Sequence, residues 1–369
     1  MKLVIATPLY PPEIGGPATY TKLLEEGLPP RGVGVTLVKF SEVRHLPKIV
    51  RHFAYFFRAR RALKSADILL ALDPVSVGLP ACLAALSCKK PFVVKIVGDY
   101  AWEQGRQRFG VTVSLDEFIK TKRVPFFVWL LRRVETGVAR RARGVIVPSK
   151  YLREVIVAWG ISPQKIHIIY NAAPIPAEVG TVPSTVEALP RPLVVSIGRL
   201  VPWKNIESVI DAVAMLRVDG IFASLGVVGD GPERARLATS ASEALTNAYI
   251  FTGLLSHSDA SAVLRSADVF VLNSTYEGLS HILIEALSLG VPIVATRAGG
   301  NAEVVTDEEN GILVPVGDVQ ALARALARVL TDKAPAARLR RAAEQPHNRF
   351  STDAMLDGTM SVLETIARL

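Results

Sequence analysis

The chain has 369 residues, a length typical of two domains, and half of them are hydrophobic, as in a globular protein. No window of 18 residues is free of charged residues and proline, and the N-terminal apolar run is too short for a signal peptide, so the sequence predicts a cytoplasmic protein. The net charge is +9, but residues 1–180 carry 27 basic and 13 acidic side chains, whereas residues 181–369 carry 16 and 21.

Apolar runs in the first half alternate with helical stretches, a pattern that predicts a parallel α/β sheet. The predicted strands are residues 3–6, 35–40, 68–72, 91–97, 145–148 and 166–169. The chain lacks a complete Gly-x-Gly-x-x-Gly or Walker pattern. This argues against a dinucleotide dehydrogenase or a P-loop enzyme.

Two of these strands end in candidate ligand-binding residues. Gly15 and Gly16 follow the first strand and precede a helix that starts at Pro17, where glycines form either an anion-binding turn or a plain tight turn. The fourth strand ends in Gly98 and Asp99. Open α/β sheets bind ligands at the carboxyl ends of their strands, so the Asp99 carboxylate is also a candidate.

Two stretches of the first half, residues 44–64 and 120–133, alternate aromatic and basic residues at roughly helical spacing. Such helices often lie in a membrane interface, although a solvated helix with one core-facing side has the same pattern. Two such stretches in the basic half favour a membrane-facing patch. The predicted partner is an anionic membrane surface, and nucleic acid is the less favoured alternative.

Residues 176–192 are rich in proline, alanine, threonine and serine, a composition typical of a linker. The net charge changes at about the same place. The predicted domains are therefore residues 1–175 and 193–350.

The second half repeats the alternation, with strands predicted at 193–197, 224–228, 249–252, 269–272 and 291–296. Arg199 and Lys204 follow the first of these strands, where a guanidinium and an ammonium group can hold a diphosphate from two directions. The alternative is that these two cations are ordinary surface charges.

A loop and a helix between the last two predicted strands carry further candidates. Gly278 permits close backbone approach, and the amides of Leu279 and of Ser280, the predicted N-cap, open a helix whose positive dipole end suits a phosphate. Glu277 lies just before this helix and Glu285 about two turns along it, so both carboxylates are predicted to point along one side. Together these groups can hold a nucleotide sugar.

These features resemble the retaining glycosyltransferase family 4, and the resemblance covers nearly the whole chain. It rests on Arg199-x4-Lys204, the Gly229-Asp-Gly-Pro turn, Glu277-x7-Glu285, Gly290-Val-Pro292 and the Gly299-Gly300 loop. It implies the GT-B architecture, in which two doubly wound parallel-sheet domains face each other across a cleft. The donor is expected in the second domain and the acceptor against the first, to which a C-terminal helix at 351–369 is expected to return.

The resemblance also implies roles for the candidate residues. Arg199 and Lys204 are expected to stabilise the leaving diphosphate. Glu277 is expected to meet the sugar, and Glu285 to hold the ribose hydroxyls. Further donor contacts are expected at Gly15, Gly16, Asp99, Gly253, Leu254, Gly278, Leu279 and Ser280. Gly98 replaces a histidine that family members often carry, so the role of Asp99 stays open.

The predicted function is the retaining transfer of a sugar from a UDP- or GDP-linked donor to a lipid-linked or membrane-proximal glycan acceptor. Neither a metal ion nor a cofactor is expected, since the sequence has no convincing Asp-x-Asp motif or metal-binding cluster. The protein is expected to lie peripherally on the inner face of the membrane. Two alternatives are the same chemistry on a soluble polysaccharide or small glycoside, and an inactive nucleotide- or nucleic-acid-binding scaffold.

Overall fold

In the computed structural model the chain forms two compact units, each built on a six-stranded sheet. The first unit consists of Met1–Ala172 and Arg349–Leu369, and the second of Ala173–Asn348. The structure describes all residues except 12, 14, 175, 177, 179, 333–347 and 369. Parts of the predicted linker 176–192, of the predicted domain 193–350 and of the predicted helix 351–369 therefore lie outside the described residues.

The sheet of the first unit is entirely parallel, with the strand order β2-β1-β3-β4-β5-β6. Its strands are β1 (Lys2–Thr7), β2 (Gly34–Lys39), β3 (Ile68–Ala71), β4 (Phe92–Lys95), β5 (Gly144–Val147) and β6 (Ile166–Ile168). All six predicted strands are confirmed within about two residues. Strands covered by helices on both faces are apolar throughout, which made these runs recognisable.

Proline determines where two helices of the first unit begin. The aromatic and basic stretch 44–64 becomes helical at Lys48, directly after Pro47, and the stretch 120–133 is divided into two helices, the second of which follows Pro125. The helices are α1 (Gly16–Gly27), α2 (Lys48–Leu63), α3 (Gly78–Cys88), α4 (Tyr100–Arg108), α5 (Leu115–Lys120), α6 (Phe126–Arg141) and α7 (Lys150–Ala158).

The second unit also has a parallel sheet, with the strand order β12-β11-β10-β7-β8-β9. Its strands are β7 (Leu193–Ile197), β8 (Ser224–Val228), β9 (Tyr249–Gly253), β10 (Val269–Leu272), β11 (Ile293–Thr296) and β12 (Ile312–Val314). The five predicted strands are confirmed. The three-residue edge strand β12 was not predicted, because so short an apolar run carries little periodicity.

Part of the predicted linker packs on the second unit. The Thr181 amide donates to the Asp259 carboxylate at 2.9 Å, and a Cβ on Gly180 would lie 2.1 Å from the backbone of Ser258. The helices of this unit are α8 (Ser184–Glu187), α9 (Ile206–Val218), α10 (Arg234–Leu245), α11 (His257–Ser266), α12 (His281–Ser288), α13 (Asn301–Val304) and α14 (Val319–Thr331).

The C-terminal helix α15 (Thr352–Arg368) completes the core of the first unit. Its Leu356 fills the space left by Gly27, where a Cβ would lie 2.3 Å from a leucine methyl group. The Tyr20 hydroxyl lies 3.0 Å from the Thr359 hydroxyl, and Arg31 forms ion pairs with two aspartates of α15. Among the described residues, no helix is long and apolar enough to cross a bilayer.

Lys95, at the end of β4, is buried in the first unit with 2% of its surface exposed. Among the described residues its Nζ has no hydrogen-bond partner, and it lies 3.8 Å above the centroid of the Tyr20 ring. Burial lowers the pKa of Lys95 from 10.5 to about 7. The ring favours the charged form and opposes part of this shift.

Replacing Lys95 with methionine is expected to stabilise the protein by about 3 kcal/mol at pH 7, because the charged form is costly to bury. Between pH 7 and 10.5 the unfolded chain holds a proton that native Lys95 has lost, so native stability should rise with pH in this window. Urea unfolding of wild type and Lys95→Met at pH 7 and pH 9.5 measures the free energy of unfolding, and Lys22→Met, at an exposed lysine, is the control. An advantage of Lys95→Met that is equal at both pH values would contradict the prediction.

Candidate active site

Glycine backbones hold together two strand-end loops of the second unit. Gly229, after β8, has a φ of 130°, and a Cβ there would lie 2.0 Å from the carbonyl oxygen of Gly198, after β7. A Cβ on Gly231 would lie 2.3 Å from the carbonyl oxygen of Leu200. Side chains at either position would separate the loops. The turn that begins at Gly229 therefore has a structural function, which is to support the loop at residues 198–205.

This supported loop presents two cations in different environments. The Lys204 ammonium group donates to Glu277 Oε1 at 2.5 Å, and the Ser274 hydroxyl donates to the same oxygen at 2.6 Å. The side chains of Lys204 and Glu277 are only 17% and 12% exposed. Arg199 is exposed, and its guanidinium carbon lies 5.6 Å from the centroid of the Trp203 ring. The structure thus joins two predicted site residues directly and leaves Arg199 accessible to an anion.

The loop after β11 fixes the backbone of Glu277. Gly299 has a φ of 51°, and a Cβ there would lie 2.1 Å from the carbonyl oxygen of Glu277. The Gly300 amide donates to this carbonyl oxygen at 2.9 Å, and a Cβ on Gly300 would lie 2.4 Å from the carbonyl oxygen of Gly278. The two glycines therefore allow the backbone of residues 299–300 to lie directly against the backbone of Glu277 and Gly278.

Gly278, Leu279 and Ser280 lead into α12, as predicted. Ser280 occupies the N-cap position with extended backbone angles, which confirms the predicted N-cap, although its buried side chain makes no capping hydrogen bond. The first amides of a helix have no partners within the helix and carry partial positive charge. The positive end of the helix dipole at this terminus therefore suits an anion.

Glu285 and Glu277 have different hydrogen-bond partners, and that both carboxylates point along one side stays a prediction. Glu285 is buried and accepts a hydrogen bond from the Ser261 hydroxyl of α11. His257 Nε2, also on α11, lies 3.3 Å from Glu285 Oε2, and this hydrogen bond raises the pKa of His257. The carboxylate is thus held in one orientation by a second helix.

Gly253 and Leu254 stand at the end of β9. Gly253 has a φ of 75°, and its carbonyl oxygen accepts from the Gly229 amide at 2.9 Å. Leu254 presents a side chain that is 64% exposed. The Arg234 guanidinium lies 3.5 Å from the place a Cβ on Gly253 would take, and Arg234 also pairs with Asp230 at 3.3 Å. This arrangement adds a cation to the strand end that the sequence did not indicate.

The remaining predicted residues belong to the first unit. Gly15 is the N-cap of α1 with a φ of 148°, and Gly16 is the first residue of that helix. Asp99 is buried and caps α4, accepting from the Trp102 amide at 2.8 Å and from Trp159 Nε1 at 3.2 Å. Burial raises the pKa of Asp99 to about 6. Asp99 therefore has a structural role, and its role as a donor-binding residue stays a prediction.

Several polar neighbours of these residues were not identified from the sequence. Ser274 lies three residues before Glu277, whereas the others come from elements that are distant in the chain from the residues they contact. These neighbours are Arg234, His257, Ser261 and Ser274. In the part of the chain that the structure describes, no group of three or more His, Cys, Asp or Glu residues is arranged to hold a metal ion.

The family models of known proteins match both units. Residues 16–172 match the glycosyl transferase 4-like domain, and residues 182–346 match the glycosyl transferases group 1 domain. Together with the parallel-sheet architecture, these matches define the class as GT-B glycosyltransferases. The chain belongs to the family that combines a glycosyl transferase 4-like domain with a group 1 domain.

Two curated relatives illustrate the range of that family. A 2-deoxystreptamine glucosyltransferase of Streptomyces kanamyceticus is 32% identical over 216 residues, which are 56% of each chain. The lipopolysaccharide core biosynthesis glycosyltransferase LpsE of Rhizobium meliloti is 34% identical over 177 residues, 47% of this chain and 49% of the relative. The chain thus spans about half the length of the curated relatives it matches.

Solved structures resemble the whole chain in fold. Anabaena HepE in complex with UDP and glucose has a TM-score of 0.78 at 20% identity, covering 99% of this chain and 100% of HepE. Sucrose-phosphate synthase from Thermosynechococcus elongatus has a TM-score of 0.72 at 20% identity, covering 100% of this chain and 96% of the synthase. At such identities the likeness establishes the GT-B fold alone.

Proposed function

We propose that the protein is a retaining glycosyltransferase that uses a nucleotide-diphosphate sugar. The observation that carries this proposal is the Lys204–Glu277 ion pair beside the exposed Arg199, at the strand ends of the second unit. Glu277 lies on the loop that leads to the α12 N-terminus, and Lys204 reaches it from the loop after β7. Cationic groups, backbone amides and a carboxylate are therefore available to one nucleotide sugar. The HepE structures bound to UDP and UDP-glucose support this type of ligand for the shared fold.

In the proposed mechanism Arg199 and Lys204 stabilise the diphosphate as its bond to the anomeric carbon breaks. An ammonium group has three donors, so Lys204 can bind a phosphate oxygen while it retains Glu277. Glu277 is then positioned to meet the sugar and the positive charge that develops on it. The acceptor oxygen bonds to the same face of the anomeric carbon, and its proton passes to the leaving phosphate. These two side-chain cations supply the charge for which other transferases use a metal ion, so we propose metal-independent transfer.

Glu285 is proposed to hold the ribose hydroxyls. Its carboxylate is fixed by Ser261 and faces the half-exposed His257, so its position is set before a nucleotide arrives. A preorganised acceptor of this kind loses little conformational entropy on binding. Backbone groups at Gly253 and Leu254 are proposed to contact the base, which leaves UDP and GDP as the candidate nucleotides.

The proposed acceptor is a lipid-linked or membrane-proximal glycan, reached by a protein lying peripherally on the cytoplasmic side of the membrane. The surface of the first unit supports this proposal, because Phe53 and Phe57 of α2 are 64% and 61% exposed and the same helix carries basic residues. Exposed aromatic and basic residues on one helix are typical of a membrane interface. The relative LpsE is named for lipopolysaccharide core biosynthesis. The glucosyltransferase named for 2-deoxystreptamine favours the alternative, the same chemistry on a soluble acceptor.

Thermal unfolding with UDP, GDP or ADP tests the donor assignment. A nucleotide at about 100 times its dissociation constant should add roughly 2.7 kcal/mol to the native state. The shift should disappear in Glu285→Ala and persist in Glu243→Ala, which removes an exposed acid from the same unit. A full shift in Glu285→Ala would refute the ribose assignment, and no shift with any nucleotide would favour the inactive scaffold.

A further inference from the structure

The first unit contains a cavity of about 230 Å³ beside α6. Its lining includes three arginines of α6, which are Arg132, Arg133 and Arg140. It also includes Thr136 of α6, Asp99 at the N-cap of α4 and Trp159 directly after α7. We call this space the arginine cavity. Its lining is more basic than acidic, so its chemistry suits an anion.

The charges of the arginine cavity are largely uncompensated. Arg132 donates to two backbone carbonyl groups, at Thr121 and Phe118, each at 2.8 Å, which fix its guanidinium without neutralising it. Arg132 interacts electrostatically with Asp99, which lines the same cavity. The nearby Glu135 is fully buried, and burial raises the pKa of its carboxyl group well above the usual range. Asp99 offsets at most one of three positive charges.

Two exposed aromatic side chains lie on the same side of α6 as the cavity residues Arg133 and Arg140. Residues at positions 126, 129, 133, 136 and 140 are three or four apart and therefore share one helix face. We call them the α6 stripe. Phe126 is 67% exposed and Trp129 is 41% exposed, and their rings stack with centroids 6.0 Å apart. Arg133 and Arg140, further along the stripe, reach the cavity.

The stripe thus has an aromatic end and a cationic end about 10 Å apart, the rise of seven residues of helix between positions 126 and 133. A ligand that occupies both ends must combine an anion with an apolar chain. The surroundings fit a membrane rather than a free metabolite, since α3 packs beside α6 and exposes Leu79, Leu83 and Leu86. Basic residues Lys120, Lys122 and Arg123 precede α6.

We propose that the arginine cavity binds the phosphate group of a membrane lipid whose apolar chain lies along Phe126 and Trp129. The guanidinium groups of Arg133 and Arg140 hold the phosphate oxygens, and the Arg132 guanidinium adds fixed positive charge. This inference extends the proposed function to a specific lipid-binding site. The statement that the lipid takes part in transfer rests on the proposed membrane-proximal acceptor. The lipid-binding site itself does not depend on the donor assignment.

Flotation of the full chain with vesicles tests the site. The vesicles contain phosphatidylcholine with 10% phosphatidic acid, and the comparison vesicles contain phosphatidylcholine alone. We expect wild-type protein to float with the anionic vesicles and Arg133→Ala/Arg140→Ala to bind them roughly thirtyfold more weakly. Phe126→Ser/Trp129→Ser should also bind more weakly, because the chain loses its apolar contact.

Two double variants serve as matched controls. Lys2→Ala/Lys22→Ala removes two exposed charges from the first unit, and Val218→Ser/Phe222→Ser removes two exposed apolar side chains from the second. Each should bind within about twofold of wild type. If the arginine variant binds no more weakly than Lys2→Ala/Lys22→Ala, the attraction is spread over the surface and the cavity does not hold the phosphate.

Inorganic phosphate separates a lipid from a free anion. If millimolar phosphate raises the unfolding temperature of wild type but not of Arg133→Ala/Arg140→Ala, while vesicles do not bind, the cavity takes a soluble anion and the lipid assignment is wrong. Failure of the donor proposal has a different signature, since it appears as the absence of a thermal shift with nucleotides in wild-type protein. The two outcomes are therefore distinguishable.

Discussion

Replacing Arg199 or Lys204 with alanine is expected to lower turnover by about 10²- to 10³-fold at saturating donor. Each cation is proposed to stabilise charge that develops on the leaving diphosphate, an interaction that strengthens in the transition state. The loss should therefore appear in the turnover number more than in the Michaelis constant for the donor. Steady-state transfer from the nucleotide sugar identified by thermal unfolding measures it.

The structure predicts that the two variants differ in stability. Lys204 is mostly buried against Glu277, and its removal leaves a carboxylate without its cationic partner, at a cost of about 3 kcal/mol or more. Arg199 is exposed, and its guanidinium carbon lies 5.6 Å from the centroid of the Trp203 ring, so its removal should leave the unfolding temperature almost unchanged. The Arg199 variant thus isolates the effect on catalysis from any effect on folding.

Arg265→Ala is the matched control, because it removes an exposed arginine from the same unit. Lys204→Arg retains the charge and should recover part of the activity, although a planar guanidinium does not reproduce the geometry of an ammonium group. If Arg199→Ala and Lys204→Ala each leave transfer within about threefold of wild type, the diphosphate assignment is wrong.

Replacing Gly299 with alanine is expected to lower turnover by about 10²-fold while the second unit remains folded. The added methyl group would lie 2.1 Å from the carbonyl oxygen of Glu277, so the loop that carries this carboxylate must shift. A displacement of about 1 Å is enough to cost this much activity when a reacting group loses alignment. Transfer assays, together with thermal unfolding of the same sample, measure both effects.

Gly317→Ala provides a close control for backbone strain. Gly317 also has a left-handed φ, 82°, but a Cβ there has no atom within 4 Å. Both variants pay about 1 kcal/mol for an alanine in this conformation, and only Gly299→Ala disturbs Glu277. Equal activities of the two variants would show that the close approach at Gly299 does not position the carboxylate.

The strands and most helices were predictable because their determinants are local. Buried parallel strands form continuous apolar runs, and caps such as Ser149, whose hydroxyl accepts from the Leu152 amide, mark helix starts. The two acids and two cations of the candidate site were identified from their spacing and from the family resemblance that the domain matches now confirm. Their functional roles stay predictions.

Partners in space were not predictable in the same way. Lys204 and Glu277 are 73 residues apart, and the Glu285 carboxylate is bound by Ser261, 24 residues before it on another helix. The structure also shows Asp99 as a helix cap, whereas its position at a strand end had suggested a ligand contact. Such pairings depend on which loops meet at the edge of the sheet.

The sequence by itself determined the alternation of strands and helices, the division into two units with a basic first half, and the family. Each of these depends on periodicity, composition or short motifs, which are properties of neighbouring residues. The tertiary structure alone decided that Lys204 neutralises Glu277, that Gly299 supports it from behind, and that three arginines of α6 face one cavity. Contacts of this kind arise only when distant segments pack, because side-chain direction and backbone approach are set by the folded chain.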